Sequence, residues 1–181
     1  MKKYSITTST SKLLADTITP VSVYLRIRDI YPNSLLLESS DYHAIENSYS
    51  FICINSVASF EADRSKVTEK YPDGTERNYN LKEKDELIKR FTDFMSAFTP
   101  ARTADEIPVN GFFGYMAYDA VEHFENITLK TPDTPEKHIP EMRYDLFKYI
   151  IAINHYQNML YIIENRFDEN EESGIEQIEN L

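Results

Sequence analysis

The sequence predicts an α+β domain on a mostly antiparallel sheet with several flanking helices, and three observations carry that prediction. Apolar runs of strand length and helix-period stripes come in mixed order, without the regular strand–helix repeat of parallel sheets. The clearest strand pair, Tyr144–Ile153 and Met159–Arg166, is separated only by His155-Tyr-Gln-Asn, a connection short enough for an antiparallel hairpin. With 181 residues, 41% of them hydrophobic and 13% aromatic, the chain can close one core, so a single domain over 1–181 is expected.

Taken in order, the elements begin with a short amphipathic helix at Pro20, whose ring suits a first helical turn. It places Val21, Leu25 and Ile30 on one side and Arg26, Arg28 and Asp29 on the other. Behind the breaker pair Pro32-Asn33, Leu35-Leu36-Leu37-Glu38-Ser39 reads as a buried strand ending in polar groups. Tyr49 to Asn55 is β-branched and aromatic, a second inner strand. Residues 58–63, 67–70 and 76–80 read as outer strands, with Pro72-Asp73-Gly74 as a hairpin turn.

From Lys82 to Phe98, apolar residues at 87, 88, 91, 94, 95 and 98 form the stripe of an amphipathic helix, stopped by Thr99-Pro100. Residues 99–108 read as a connecting loop, and strand-like sequence resumes from Asn110 to Tyr118 before a helical stretch at 119–124. A second loop carries Pro132, Pro135 and Pro140. After the hairpin, an acidic stretch with Asp168, Glu169, Glu171 and Glu172 leads into a short helix over 173–181. The count is about seven strands and three or four helices by pattern alone. The runs at 35–37 and 111–118 are apolar on both faces, which predicts a cover on each side, part of it from a missing lobe.

Composition excludes several functions. Lys and Arg number 19 against 30 Asp and Glu, a net charge of −11, the wrong sign for nucleic acid or an anionic membrane. No apolar run approaches the roughly 18 residues of a membrane span, and no basic leader with an apolar stretch follows Met1, so a cytoplasmic chain is expected. The single cysteine, Cys53, stands in Phe51-Ile52-Cys53-Ile54 and reads as a buried, unreactive thiol in a reducing compartment. Gly74, Gly111, Gly114 and Gly174 supply no clustered phosphate loop, and the scattered His43, His123, His138 and His155 supply no metal site. No cofactor and no catalytic residue is assigned: no nucleophile elbow is present, and Glu122 and Glu125 read as a solvated face.

Two clusters remain. Glu38-Ser39-Ser40-Asp41 with Tyr49-Ser50 puts a carboxylate and several hydroxyls at the ends of neighbouring strands, a fit to the ammonium and carboxylate of a free amino acid. The same serines and aspartate also read as a strand-ending turn with side-chain to backbone bonds. In Gly111-Phe-Phe-Gly-Tyr-Met-Ala-Tyr-Asp119, two glycines three apart allow tight strand packing, and Asp119 is placed to cap the following helix.

Thr19-Pro-Val-Ser-Val-Tyr24, Leu35-Leu-Leu-Glu-Ser39, Tyr49-Ser-Phe51 and Gly111–Asp119 with Phe124-Glu125 stand in the order found in anthranilate synthase component I. The chain resembles the N-terminal region of that family over nearly all its length. The resemblance implies half of a two-lobed, chorismate-utilising lyase of tryptophan biosynthesis, which forms anthranilate with ammonia from a glutamine amidotransferase subunit. It places the active site and Mg²⁺ ligands in a C-terminal chorismate-binding domain absent from this sequence, so the chain alone is expected to be catalytically silent.

The resemblance further implies a feedback tryptophan site, with Pro20 beside the indole and Glu38, Ser39, Tyr49 and Ser50 around the amino acid's polar end. Bound L-tryptophan would then favour an arrangement of the two lobes that closes poorly on chorismate. One departure is Asn47-Ser48-Tyr49, which lacks the basic residue that many relatives carry there. Aminodeoxychorismate synthase component I has a similar N-terminal domain and is the alternative, as is a freestanding amino-acid-binding module. The abrupt end after an acidic stretch predicts that the sequence is a piece of a longer protein.

Overall fold

Tyr4 and Ile6 alternate with exposed residues ahead of a threonine- and serine-rich run, and together they form an N-terminal strand, β1 (Tyr4–Leu14). The reading by apolar period misses it, because its strand preference comes from β-branched Thr7, Thr8 and Thr10. The computed structural model describes residues 2–38, 48–83, 85–100, 110–129, 139–168 and 170–181. After β1 come α1 (Pro20–Ile27), β2 (Leu35–Leu37), β3 (Tyr49–Asp63), β4 (Lys66–Lys70), β5 (Glu76–Asn80) and α2 (Glu86–Ser96). Then follow β6 (Phe98–Pro100), β7 (Phe113–Met116), a 3₁₀ helix (Tyr118–His123), β8 (Met142–Asn154), β9 (Met159–Arg166) and α3 (Ile175–Glu179). The pairings β1–β9, β2–β3, β3–β4, β4–β5, β7–β8 and β8–β9 are all antiparallel, which makes the chain α+β.

The chain divides into two compact units, and their cores differ in chemistry. One comprises Ser5–Ser56, Pro100–Gly111 and Phe147–Leu181, the other Met1–Tyr4, Val57–Thr99 and Phe112–Leu146. The first is aliphatic: Ile52, Ile54, Ile151, Ile153 and Ile162 from the strands pack with Ile27 of α1 and Ile178 of α3. The second is aromatic: the Phe94 ring lies 5.3–5.6 Å from those of Phe60, Tyr71, Phe98 and Phe112. Such offset and tilted ring pairs add to the stabilisation from buried area alone.

In the aliphatic unit, α1 starts at Pro20 as expected, capped by Thr19, whose Oγ1 accepts from the Ser22 amide at 3.1 Å while Ser22 Oγ accepts from the Thr19 amide at 3.2 Å. Its buried stripe is not the expected one. Pro20 and Ile27 are buried and Val23 and Tyr24 pack on the core, whereas Val21, Leu25 and Ile30 are 44%, 49% and 55% exposed. An eight-residue helix can bury one stripe, and the one that includes Tyr24 and Ile27 covers more surface. β2 forms where expected but is only half buried, because among the described strands it pairs with β3 alone. Residues 49–63 form one strand rather than two, and Asn55, at φ 60°, interrupts its inside–outside alternation as a bulge does.

In the aromatic unit, the Pro72-Asp73-Gly74 turn joins β4 to β5: Gly74 takes φ 79°, and Asp73 Oδ1 accepts from the Thr75 amide at 3.0 Å. α2 is shorter than the 82–98 stripe. It ends at Ser96, and Phe98 enters β6, because the residues before Pro100 are biased to extended backbone and the Phe98 ring is held against Phe112 at 5.5 Å. Gly114 of β7 faces β8 so closely that a Cβ there would lie 1.9 Å from the Arg143 carbonyl oxygen, the tight packing expected of this segment. Asp119 does not cap a helix. The 3₁₀ turn begins at Tyr118 behind Ala117, which puts Asp119 inside the first turn. The expected loop at 99–108, from residue 101 onward, and Pro132 and Pro135 lie outside the described residues.

Candidate functional site

The β2–β3 register fixes which polar side chains share a face. Leu36 pairs with Ile52 and Leu37 with Phe51, so Glu38, two residues past Leu36, continues the face of Leu36, and Ser50 continues that of Ile52. That face carries α1, since Ile27, Tyr24, Leu36 and Ile52 belong to one cluster. Glu38 is exposed and Ser50 is fully buried. Pro20 is buried at the first turn of α1. Tyr49 projects from the opposite side of β3, where its ring stacks on Phe51 at 5.9 Å. The structure thus brings Glu38 and Ser50 to one end of one face and sends Tyr49 to the other. Ser39, Ser40 and Asp41 lie outside the described residues.

A residue that the sequence reading did not assign joins this group. His155 opens the β8–β9 turn, and its Nε2 lies 2.7 Å from Ser50 Oγ. The turn is built to hold it: buried Asn154 accepts from the amides of Tyr156 and Gln157 at 3.0 and 2.9 Å, and Asn158 takes φ 52°. The His155 amide also donates to the Ser48 carbonyl at 3.0 Å, tying the turn to the entry of β3. A histidine 105 residues from a serine carries no sequence signal of contact; only the strand order makes the pair.

Elsewhere in this unit, Glu164 is a fully buried carboxylate that accepts from Ser173 Oγ at 2.7 Å and from the Gly174 amide at 2.9 Å. Lys148 and Arg166 each approach it to 3.9 Å. These contacts anchor the segment that starts α3, a structural role.

The aromatic unit contains a cavity of about 300 Å³ lined by Arg64, Ser65, Lys82, Glu83, Glu122, His123 and Glu141, among others. Glu141 Oε2 accepts from the Arg64 amide at 3.2 Å and lies 2.8 Å from His123 Nε2. Glu122 is half buried and accepts from the Leu129 amide, so it is not the solvated surface group the spacing predicted; the chain after the 3₁₀ helix folds back over it. Among the described residues no three His, Cys, Asp or Glu side chains converge in a way that would hold a metal ion. Cys53 is fully buried, and burial pushes its thiol up, well away from thiolate. Among the described residues no helix is long and apolar enough to cross a membrane.

Comparison with known proteins adds the family. The model of the chorismate binding enzyme family matches residues 32–180. Anthranilate synthase component 1 of Acinetobacter calcoaceticus is 27% identical over 164 residues, which cover 88% of this chain and 32% of that protein. The protein of the same name from Aquifex aeolicus strain VF5 is 28% identical over 148 residues, 81% of this chain and 28% of that one. The chain therefore spans about a third of the length of these relatives. The crystal structure of anthranilate synthase component I from Streptococcus pneumoniae TIGR4 superposes with a TM-score of 0.49 at 18% identity, covering 93% of this chain and 34% of that one. With a family match over most of its residues, the chain belongs to the chorismate binding enzyme family and is similar to anthranilate synthase component 1.

Proposed function

We propose that this chain is the N-terminal regulatory domain of an anthranilate synthase component I and contributes the feedback site for L-tryptophan. The observation that carries the reading is the placement of Glu38 beside Ser50 on the α1 face of the β2–β3 pair. A carboxylate and a hydroxyl on adjacent positions of one face suit an ammonium and a carboxylate borne on one carbon. The names of the relatives support the assignment to anthranilate synthase. In this reading Pro20 lies against the indole and Ser39 completes the polar end, while Tyr49, on the other face of β3, stands outside it; the catalytic residues and Mg²⁺ belong to a separate chorismate-binding domain. A glutamine amidotransferase supplies ammonia to that domain, and the whole acts in the cytoplasm.

Regulation follows from differential affinity. Tryptophan inhibits only to the extent that it binds the open arrangement of the full enzyme more tightly than the arrangement closed on chorismate. In the full-length enzyme, Ser39→Phe is expected to leave turnover near normal and to raise the tryptophan needed for inhibition. Unchanged inhibition would sink the regulatory role. The family match itself, which spans 32–180 and names chorismate, favours a second reading in which this segment contacts chorismate directly. Calorimetric titration of the chain with L-tryptophan, L-phenylalanine and chorismate separates the two: heat from tryptophan alone supports regulation, and heat from chorismate alone replaces it.

A further inference from the structure

We propose that His155, oriented by Ser50, is the group that recognises the ligand's α-carboxylate, an inference that rests on the amino-acid site proposed above. The hairpin brings this side chain to the strand end where Glu38 and Ser50 meet, and its ring is fixed before any ligand arrives. The 2.7 Å bond between Nε2 and Ser50 Oγ holds the ring, while the bond to Ser48 and the turn that Asn154 organises hold the backbone beneath it. His155 itself is half buried, so part of the ring remains at the surface while its partner Ser50 is fully buried.

Because Ser50 is fully buried, only the half-buried His155 ring can meet a ligand, and it presents an outward donor in two of three states. If Ser50 donates to Nε2, the neutral ring carries its proton on Nδ1 and offers that N–H outward. If Nε2–H donates to the buried Ser50, Nδ1 is left as an acceptor and the ring offers an anion nothing. When the ring is protonated, both nitrogens donate. A ring with an outward N–H in the first and third cases fits an anion, and the Glu38 carboxylate across from Ser50 fits the opposite charge. Cross-strand neighbours on one face stand about 5 Å apart, a spacing at which one α-amino acid reaches both partners. Glu38 therefore takes the ammonium, and His155, held by Ser50, takes the carboxylate.

A merely structural clamp makes a different prediction, which ligand dissection exposes. The 181-residue chain is titrated calorimetrically with L-tryptophan and with tryptamine, which lacks the carboxylate. The wild-type chain should bind L-tryptophan about tenfold or more tightly than tryptamine, the effect of one charge-assisted hydrogen bond. His155→Leu should bring L-tryptophan down to the tryptamine value and leave tryptamine unchanged; Ser50→Ala should lose part of the preference. A preference that persists in His155→Leu overturns the inference and leaves the amino-acid site standing. Loss of both ligands in that variant assigns His155 to structure and also overturns it. Failure of the wild-type chain to bind either ligand removes the underlying site and the inference with it.

Discussion

Replacing Gly114 by alanine tests how the aromatic unit is held together. An added Cβ would lie 1.9 Å from the Arg143 carbonyl oxygen, where ordinary contact starts at 3.4 Å, so the β7 and β8 backbones must part by about 1.5 Å. The obstacle is backbone on both sides, and no rotamer change relieves it. The β7–β8 register runs from Phe113↔Asp145 to Met116↔Met142. Interstrand bonds of about 2.9 Å do not survive such an opening. At a net ~1 kcal/mol for each lost bond, with the loss of packing beside it, the substitution should cost about 3 kcal/mol. For a chain of this size that lowers the melting temperature by about 6–12 °C. Urea denaturation followed by circular dichroism measures the cost, and amide exchange at 113–116 shows whether β7 detaches first. Gly74→Ala is the control: open space surrounds that position, and only its φ of 79° penalises a side chain, by about 1 kcal/mol. A Gly114→Ala chain within 1 kcal/mol of wild type by the same assay, with unchanged exchange in β7, would mean that β7 does not depend on this close approach.

The other predictions concern buried groups and one turn. Glu164→Ala leaves the Gly174 amide and Ser173 hydroxyl without their acceptor and should cost about 3–5 kcal/mol in the same unfolding assay, with Glu164→Gln costing clearly less because it keeps an oxygen for Gly174. Phe94→Ala empties the centre of the aromatic cluster and should cost about 3–5 kcal/mol. Cys53 should resist iodoacetamide in the native chain and react promptly in urea; fast native labelling would contradict its burial. The Asp73 carboxyl is held below the usual carboxylate range by the Lys2 ammonium, then by the Thr75 hydroxyl and amide. A depressed folded pKa contributes order that is complete above the unfolded value of about 4 and is lost as pH falls below it. The Thr75 amide signal should therefore shift on acidification, and a Lys2→Met chain should show that shift at higher pH.

The parts of the fold legible in sequence are those where one local signal dominates. The hairpin at 144–166, the Pro-Asp-Gly turn and the Pro20 helix start each combine a period with a breaker residue, and all three form as read. β1 escaped because a strand of threonines and serines shows β preference without apolar alternation. The buried face of α1 is not legible because both of its stripes are apolar, and only the tertiary contacts of Tyr24 and Ile27 decide between them. Of the candidate site, Glu38 and Ser50 were accessible from strand-end chemistry. His155 was not, since its approach to Ser50 depends on strand order, which no local pattern encodes. Tyr49 shows the same limit: adjacent to Ser50 in sequence, it lies on the other face of the sheet by the pleat.

An amino-acid site at the end of the β2–β3 pair is open to a two-dimensional amide NMR titration of the chain with L-tryptophan, with L-phenylalanine as control. Saturable shifts at Val21, Glu38, Ser50 and His155 with tryptophan, and not with phenylalanine, are the predicted result. Shifts confined to other residues, or none with tryptophan at millimolar concentration, would contradict it.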